Sequence, residues 1–368
     1  MIKELLESLP QLNKFDEFCN ACTYGAEKKV IICGAGDQGM LNALLLKEHG
    51  IKVYAFADNN PQIAGTEIKG IQVISFDTLD PKEENYIFVN NDSYRDAKRT
   101  QLLSLGMKED SIFTFDSFNP LFKNFNRKYI TEHIDDFECV YDMLSDEISK
   151  KTYIKYLSGV ITCDIDYYKE IEVGDDYFIK GLVPIHNHHV YLDVGAYNGN
   201  TIEDFINFMK MYDKIYAFEP FESTARLIEE KKFPNTEIHI SAASDYTGEK
   251  KFYCNDYGAI AMITTILEEG AEREELVLRT EAIDDVIGEE KATLIKMDIE
   301  GSELDALRGA ENTIVNNKPY MAICVYHKKE DLIKIIPYVK SIVPDYKVYL
   351  RHHSSTACDL VAYFVINE

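Results

Sequence analysis

Polar residues that could bind a ligand or move a proton follow several apolar segments in the second half of this chain. Asp193 lies near the end of one such segment, and Glu219 follows the next. Asp298 and Glu300 follow a third, and His327 follows a fourth. The carboxyl ends of parallel strands meet at one edge of an open α/β sheet, where ligands bind. These residues therefore predict a crevice that combines carboxylates with one imidazole.

The turn after the first of these segments is rich in glycine. It reads Asp193-Val-Gly-Ala-Tyr-Asn-Gly-Asn-Thr201, which is the pattern Asp-x-Gly-x-x-x-Gly-x-Thr. A pyrophosphate needs glycines close together so that backbone N–H groups can approach it. This more open turn suits a ligand with an amino-acid end and no phosphate, such as S-adenosylmethionine. Asp193 could pair with the ammonium of that ligand directly or through water, and Glu219 could accept hydrogen bonds from both ribose hydroxyls.

Four motifs of the second half occur in order along the chain. They are Asp193-Val-Gly-Ala-Tyr-Asn-Gly-Asn-Thr201, Ala217-Phe-Glu-Pro220, Ile295-Lys-Met-Asp-Ile-Glu-Gly-Ser-Glu303 and Val325-Tyr-His-Lys-Lys-Glu-Asp331. Together they resemble the FkbM family of class I S-adenosylmethionine-dependent methyltransferases. The resemblance covers roughly residues 186–368 and implies a seven-stranded methyltransferase fold.

The resemblance also implies which residues would bind the cofactor. Glu219 would hold the ribose, and the backbone of Ala243 would lie near the adenine. Members of this family often carry a Tyr-Phe element just before the catalytic domain, where it lines the pocket. Tyr177 is therefore expected over the ligand, unless it only packs against the flank of the domain. The methionine end would lie against Asp193, Gly195, Gly199, Asn200 and Thr201.

The acceptor side of the crevice is predicted at Asp298, Glu300 and His327. Alternation along an extended strand puts the two carboxylates on one side, whereas Glu303 suits the first turn of the next helix. His327 is a candidate general base for an acceptor hydroxyl, or else it caps that helix. A divalent ion between Asp298 and His327 is conceivable, but the strand end lacks an evident third carboxylate, so no metal is predicted. The resemblance points to a small-molecule or glycan acceptor, with a sugar hydroxyl favoured.

A second glycine-rich turn lies near the N-terminus. Gly34, Gly36 and Gly39 follow an apolar strand and open a helix, and Asp58 lies nineteen residues after the last glycine. This is the context of the dinucleotide fingerprint. The segment 29–117 is similar to Rossmann-like domains attached to enzymes of bacterial sugar and polysaccharide assembly. NAD, another nucleotide, a nucleotide-sugar or an empty scaffold all remain open for this turn.

Two other functions compete with methyl transfer. An NAD-dependent enzyme that modifies nucleotide-sugars would need Tyr-x-x-x-Lys on one helical face, which Tyr94 and Lys98 provide. However, no Ser or Thr ends the preceding strand, at Val89-Asn-Asn-Asp92, and the domain is short for a substrate lobe. A non-catalytic nucleotide-sensing protein is the third possibility, and it would bind a cofactor without turnover.

Alternating strand and helix patterns predict an α/β protein with two doubly wound, Rossmann-like domains. Residues 1–117 would form the first domain, with strands at 29–33, 51–56, 71–74 and 86–89. Residues 118–185 would form a helical connector, with helices at 131–144 and 146–157. Residues 186–368 would form the methyltransferase domain, a class I fold with seven strands at 191–194, 215–218, 237–240, 294–297, 320–325, 347–350 and 360–365.

Composition limits the partners of this protein. The net charge of −24 over 368 residues argues against nucleic-acid phosphates and anionic membranes as partners. No apolar run of about 18 residues predicts a transmembrane helix, and the N-terminus does not resemble a signal peptide. The eight cysteines, including the pair Cys19 and Cys22, are expected to be reduced thiols of a cytoplasmic protein. Association between copies, forming a homo-oligomer, remains open.

Overall fold

The computed structural model describes residues 1–23, 27–91, 94–119, 125–174, 177–185, 187–254 and 274–366. Sequence patterns that include Tyr24, Asp92, Asp175 or His186 extend outside the described residues. Among the helices of the described ranges, none has the length and apolar character that a membrane crossing requires. The architecture is α/β, with two mainly parallel sheets that confirm the predicted fold class.

The N-terminal half alternates strands and helices. Its elements are α1 (Ile2–Ser8), α2 (Lys14–Thr23), β1 (Lys29–Cys33), α3 (Asp37–Glu48), β2 (Val53–Ala57), β3 (Glu67–Ile68), β4 (Ile71–Ile74), β5 (Tyr86–Val89), α4 (Arg95–Ser104) and β6 (Ile112–Phe113). The strands form one sheet in the order β3-β4-β2-β1-β5-β6, parallel except for the β3–β4 pair. The four predicted strands are confirmed, although β2 begins two residues later than predicted.

Helices cover both faces of this sheet because β1 is apolar on both sides. Val30 and Ile32 belong to a core that includes side chains of α2 and α3. Ile31 and Cys33 belong to a second core that includes Leu102 of α4. Successive side chains of a strand point to opposite faces, so a continuous apolar run requires cover on both.

The connector is helical, as predicted. It contains α5 (Arg127–Glu132), α6 (Ile134–Met143), α7 (Glu147–Thr162) and α8 (Asp166–Lys169). The single helix predicted over 131–144 is divided at His133, which lies between α5 and α6. Asp146 caps α7, since its side chain accepts a hydrogen bond from the backbone N–H of Ser149.

The C-terminal half contains the larger sheet. Its elements are β7 (Val190–Val194), α9 (Asn200–Met209), β8 (Lys214–Phe218), α10 (Glu222–Lys231), β9 (Thr236–His239), β10 (Ala242–Ala243), β11 (Gly248–Cys254), β12 (Glu274–Glu281), α11 (Ile283–Ile287), β13 (Leu294–Met297), α12 (Glu303–Arg308), α13 (Glu311–Asn317), β14 (Tyr320–Cys324), α14 (Asp331–Ile342), β15 (Lys347–His352) and β16 (Leu360–Val365). Seven strands form one sheet in the order β15-β16-β14-β13-β7-β8-β9. All seven predicted strands are confirmed, and only β16 is antiparallel to its neighbours.

This strand order places the site. β7 and β13 are adjacent at the centre, with β8 and β14 beside them. Their carboxyl ends therefore lie together at one edge. The ladder between β7 and β13 continues past the strands, since the N–H of Asp298 donates to the carbonyl of Val194 at 3.0 Å. A small second sheet, β10-β12-β11, was not predicted because its strands are short or rich in charged residues.

The connector packs chiefly against the C-terminal sheet. The N–H of Leu350 in β15 donates to the Ser149 hydroxyl at 2.9 Å. The guanidinium of Arg351 donates to the Asp146 carboxylate at 2.7 Å. Cys163, just beyond the end of α7, belongs instead to the core of the N-terminal half. The connector therefore contributes to both halves of the protein.

The first helix packs with the connector rather than with the N-terminal sheet. Ile2 of α1 is fully buried in the C-terminal core, and the terminal amine of Met1 lies 3.1 Å from Glu138 in α6. The Arg127 guanidinium donates to the carbonyl oxygen of Leu9 at 3.1 Å. The predicted domain 1–117 therefore includes a helix, α1, that packs on the connector, because the apolar side chains of α1 contact α6.

Candidate active site

The glycine-rich turn after β7 is pressed against the end of β13. Gly195 has a φ of +84°, and a Cβ built on it would lie 1.9 Å from the carbonyl oxygen of Asp298. The N–H groups of Gly195 and Ala196 both donate to the carbonyl of Phe218 at the end of β8, each at 3.0 Å. Glycine is therefore required at position 195 by both conformation and space, and the turn is held between two neighbouring strands.

Asp193 lies beneath this turn rather than in the crevice. Its side chain is fully buried, accepts a hydrogen bond from the Thr201 hydroxyl at 2.5 Å, and lies 3.3 Å from the Lys296 ammonium. That ammonium also donates to the carbonyl of Gly195 at 2.7 Å. The prediction that Asp193 pairs directly with a cofactor ammonium does not agree with the structure, because the residue has no exposed surface. Asp193, Thr201 and Lys296 instead stabilise the turn from below.

Lys296 has a structural role that the sequence reasoning did not assign. Burial alone would lower the pKa of its ammonium, but the carboxylates of Asp193 and Asp298 raise it above the ordinary value. The signal was present in the sequence, since a lysine inside the apolar run Leu294–Met297 must find a buried negative partner.

Glu219 follows β8 and faces the same turn. Its carboxylate accepts hydrogen bonds from the N–H of Tyr197 at 3.0 Å, the N–H of Phe221 at 3.1 Å and the hydroxyl of Thr224 at 2.7 Å. Only 5% of the residue is exposed, and burial raises the pKa of its carboxyl group. A carboxylate offers about four acceptor positions, so lone-pair capacity remains beyond these three contacts.

The other predicted cofactor residues lie along the turn and beyond β9. Gly199 has a φ of +80° and immediately precedes α9. Asn200 is exposed, and its side-chain oxygen accepts from Lys231 at 2.8 Å, so its side chain turns toward α10. A contact from the Asn200 side chain is therefore not favoured. Ala243 is buried in β10, where it pairs with Glu281 of β12, and its contact with adenine stays a prediction.

Asp298, Glu300 and His327 converge at the end of β13. Nε2 of His327 lies 3.3 Å from Oδ1 of Asp298 and 3.1 Å from Oε2 of Glu300. The imidazole is 3% exposed, whereas the side chains of Asp298 and Glu300 are 24% and 38% exposed. The carboxylates therefore face the crevice and the imidazole lies behind them. Glu300 reaches the same point as the other two, so the strand end brings together two carboxylates and one imidazole.

The segment after β13 bends sharply to bring these groups together. Glu300 has a φ of +60° and Gly301 a φ of +93°. A Cβ on Gly301 would lie 2.8 Å from Cε of Lys328, so the two loops approach closely. This bend, rather than a continued strand, places Glu300 beside Asp298. The predicted proximity of the two carboxylates is present, but its geometric reason is different.

Two buried carboxylates support the group from behind. Oε1 of Glu303 accepts the N–H of Ile299 at 2.9 Å and lies 2.9 Å from Nδ1 of His327. Asp331 accepts the N–H of Lys328 at 2.6 Å. Glu303 begins α12, as predicted, and it also orients the imidazole.

Tyr177 joins this group from the connector side. Its hydroxyl donates to Oδ2 of Asp298 at 2.9 Å and lies 3.6 Å from Sγ of Cys324. The Lys296 ammonium lies 5.5 Å from the centre of the Tyr177 ring. Tyr177 therefore contacts the predicted acceptor side and is not confined to the flank of the domain.

Charge is concentrated at this strand end. Burial alone would lower the pKa of His327, but Glu303, Asp298 and Glu300 raise it well above the ordinary value. Burial would raise the pKa of Asp298, yet His327 and Lys296 hold it far below the usual range. Burial raises the pKa of Glu300, and burial together with Glu303 raises the pKa of Asp331 to about 7. The carboxylates around His327 therefore favour the charged form of its imidazole when no cation is bound.

Comparison with known protein families identifies this half of the chain. Residues 193–347 match the family model of the methyltransferase FkbM domain. This part of the chain is therefore similar to FkbM methyltransferase domains. Residues 26–113 match a second family model, described as C2185-like, N-terminal. No curated protein matches the chain.

Comparison with solved structures gives one match over nearly the whole chain and several weaker ones. The methyltransferase FkbM from Methylobacillus flagellatus KT has a TM-score of 0.77 and 23% identity, covering 98% of this chain and 95% of its own. A putative rRNA-methylase from Clostridium thermocellum has a TM-score of 0.32 and 12% identity, covering 55% and 94%. Aeropyrum pernix fibrillarin, solved with natively bound S-adenosyl-L-methionine, has a TM-score of 0.30 and 10% identity, covering 49% and 67%. The first of these shows that both halves of the chain share an arrangement already seen in an FkbM protein.

A second cavity lies outside the FkbM domain, at the N-terminal glycine turn. It has a volume of about 420 Å³ and is lined by Gly34, Gly36, Asp58, Asn59, Tyr94, Ala97, Lys98 and Gln101. A Cβ on Gly36 would meet no atom within 4 Å, whereas one on Gly39 would lie 2.1 Å from the carbonyl oxygen of Gly34. Gly36 therefore keeps the cavity open, and Gly39 permits close packing of α3 on β1.

Asp58 stabilises this turn. Its carboxylate accepts the N–H groups of Ala35 and Asn60, each at 2.8 Å. The Lys98 ammonium donates to the carbonyl of Cys33 at 3.0 Å. Tyr94 and Lys98 do line the same cavity, as the oxidoreductase alternative requires. Neither family match names a nucleotide, so a ligand of this turn stays a prediction.

Proposed function

We propose that this protein is an S-adenosylmethionine-dependent methyltransferase that O-methylates a hydroxyl of a sugar or glycan intermediate. The contact of Gly195 with the carbonyl of Asp298 carries the proposal. This close approach supports the proposal, because a turn suited to the methionine end of the cofactor would then lie beside carboxylates suited to an acceptor.

The residues present fit this cofactor. Gly195 and Gly199 adopt positive φ angles that open the turn, and Glu219 retains lone pairs for ribose hydroxyls at the end of the adjacent strand. The backbone near Ala243 would bind the adenine. When bound, the cofactor supplies an electrophilic methyl group on a sulfonium. Asp193 and Lys296 would contribute by fixing the turn rather than by touching the ligand.

The acceptor would bind at Asp298, Glu300 and Tyr177. Its hydroxyl oxygen would form a bond to the methyl carbon as the carbon–sulfur bond breaks, and its proton would pass to a carboxylate oxygen. Glu300 is the preferred recipient because it is the most exposed of the three clustered side chains. His327 would hold the two carboxylates in position, which replaces its predicted role as the base.

The chemistry of the crevice supports a hydroxylated acceptor. Carboxylates accept hydrogen bonds from hydroxyl groups, and a sugar presents several of them on adjacent carbons. The negative net charge of −24 disfavours a nucleic acid. The cavity at Gly36 leaves room for a separate ligand in the N-terminal half.

The test is incubation of metabolite extracts with the full-length protein and S-adenosylmethionine labelled in its methyl group, followed by mass spectrometry. Label is expected in a carbohydrate or glycan intermediate. The variant Glu219→Ala serves as the low-binding control, and Glu230→Ala, an exposed residue of α10, serves as the matched variant. Label found only in peptides or nucleic acid would overturn the substrate class, and absence of cofactor binding by calorimetry would overturn the activity.

A further inference from the structure

We propose that Oδ1 of Asp298, Oε2 of Glu300 and Nε2 of His327 bind a divalent cation, Mg²⁺ or Mn²⁺. The binding of the ion is argued from these side chains alone. Its role toward the acceptor, described below, rests on the proposed methyltransferase function.

The distances from the imidazole nitrogen to the two carboxylate oxygens suit neighbouring ligands of one octahedral cation. Bonds of about 2.1–2.4 Å at right angles separate neighbouring ligand atoms by about 3.0–3.4 Å. Nε2 of His327 lies 3.3 Å from the Asp298 oxygen and 3.1 Å from the Glu300 oxygen. All three atoms lie within 4.8 Å of one another. One cation could therefore contact all three without a large rearrangement.

The same three atoms lack hydrogen-bond partners. Each is buried at the atomic level and makes no hydrogen bond of acceptable geometry to the described residues. A protonated imidazole would be expected to aim its N–H at one carboxylate oxygen. Nε2 instead lies close to two oxygens, in line with neither. Buried polar atoms left in this way are rare, and a cation placed among them would satisfy all three at once.

The residues behind the imidazole complete a familiar arrangement of metal sites. Nδ1 of His327 lies 2.9 Å from Glu303, which is itself fully buried. A metal-bound histidine almost always directs its second ring nitrogen to a carboxylate, carbonyl or water, which fixes the ring and leaves the other nitrogen for the metal. Glu303 lies at the distance of such a partner, although Nδ1 makes no hydrogen bond of acceptable geometry among the described residues.

A second grouping of potential ligands shares His327 but fits less well. Glu303, His327 and Asp331 are all buried. Oε1 of Glu303 already accepts the N–H of Ile299, and Asp331 already accepts the N–H of Lys328. Glu303 and Asp331 hold the loops that follow β13 and β14. The cation site is therefore Asp298, Glu300 and His327, and the two buried carboxylates support it.

The ligand set points to a hard cation with open positions. Two carboxylates and one imidazole suit Mg²⁺ or Mn²⁺. The Asp298 and Glu300 side chains are 24% and 38% exposed, so the remaining positions face the crevice. An acceptor with oxygens on adjacent carbons could bind two of these positions. The cation would then select vicinal diols and orient one hydroxyl toward the cofactor turn.

The experiment titrates Mn²⁺ alone into the metal-stripped full-length protein, followed by calorimetry and electron paramagnetic resonance. About one bound Mn²⁺ per chain is expected, with Mg²⁺ competing for it. Glu300→Gln should weaken binding by more than tenfold, whereas Glu230→Gln should leave the affinity unchanged. Glu303→Gln should weaken binding by about 10- to 100-fold, the usual loss for a second-sphere partner.

Circular dichroism checks that each variant is folded. Glu300→Gln is the decisive variant, because substitution of a partly exposed side chain should not prevent folding. Absence of Mn²⁺ binding, or equal affinity of Glu300→Gln and Glu230→Gln, would overturn the cation site. Calorimetric binding of S-adenosylmethionine in excess chelator is measured separately. Its failure would overturn the proposed function and leave the Mn²⁺ result standing, so the two proposals fail in distinguishable ways.

Discussion

The two glycine-rich turns of this protein make similar contacts with one neighbouring strand, β2 or β8, and different contacts with the other, β5 or β13. In both, an acidic residue at the end of the next strand accepts a backbone N–H of the turn. Asp58 accepts the N–H of Ala35, and Glu219 accepts the N–H of Tyr197. The strand on the other side of each turn differs. Asp298 and Glu300 follow β13, whereas Asn91 follows β5 and donates to Ser117 at 2.8 Å.

The described residues after β13 include two partly exposed carboxylates, Asp298 and Glu300, beside the glycine turn. The described residues after β5 are Asn90 and Asn91, whose side chains are buried. The two turns therefore differ in the side chains that the neighbouring strand brings next to them.

The largest expected effect compares one glycine of each turn, chosen because one is crowded and the other is not. Gly195→Ala should lower the free energy of unfolding by about 3 kcal/mol or more, because the new Cβ meets the Asp298 carbonyl and φ is positive. Gly36→Ala should change it by no more than about 1 kcal/mol, since its Cβ has open space. Chemical denaturation measures both. Similar losses in the two variants would show that the turns are equally constrained.

The acidic partners provide the next comparison. Glu219→Ala should weaken S-adenosylmethionine binding by about 1.5–3 kcal/mol through loss of charge-assisted hydrogen bonds. Asp58→Ala should leave that affinity unchanged, because its turn belongs to the other half. Calorimetry with the full-length protein measures the dissociation constants. If Asp58→Ala weakened binding more than Glu219→Ala, the cofactor would belong to the N-terminal turn.

The connector can be assigned to one half by a third pair of variants. Asp146→Asn should destabilise the protein by about 1–2 kcal/mol, since it loses the charge paired with Arg351 while its amide oxygen can still cap α7. Asp164→Asn, which removes the Lys14 pair toward the N-terminal half, should cost less than about 1 kcal/mol. Thermal unfolding measures both. The reverse order would show that the connector is held mainly by the N-terminal half.

The same carboxylate predicts an acid dependence. Burial would raise the pKa of Asp146, but Arg351 and Ser149 hold it below its ordinary value. A carboxyl group whose pKa is lower in the folded state stabilises the fold above its unfolded pKa of about 3.9. That contribution is lost as the pH falls through the lower folded value. The stability difference between wild type and Asp146→Asn should therefore shrink below about pH 4, and a constant difference would contradict the assignment.

The smallest effect concerns tyrosines placed near each turn. Tyr177→Phe removes one hydrogen bond to Asp298 and should slow methyl transfer by about 2- to 10-fold. Tyr94→Phe, at the N-terminal cavity, should leave the rate on a small acceptor unchanged. Steady-state kinetics with the acceptor identified by mass spectrometry measures both. An unchanged rate for Tyr177→Phe would place that hydroxyl outside the acceptor site.

The sequence by itself determined four of the six strands of the N-terminal sheet and all seven strands of the larger C-terminal sheet. A parallel strand buried on both faces must be apolar throughout, so segments such as Leu294–Met297 are visible without any tertiary information. The glycine positions and the acidic residues at strand ends were visible for the same local reason. The four ordered motifs then identified the methyltransferase domain, which the family match at 193–347 confirms.

Tertiary structure alone decided how the site residues divide their roles. The sequence suggested that Asp193 and Glu219 both contact a ligand. In the structure, Asp193 is buried against Lys296 and Thr201, whereas the Glu219 carboxylate keeps lone pairs for further hydrogen bonds. The bend at Glu300 and Gly301, the contact of Tyr177 with Asp298, and the burial of Ile2 against the connector also depend on packing between distant segments. Local patterns report which residues can be buried, but the partner that satisfies a buried charge is chosen only when the chain is assembled.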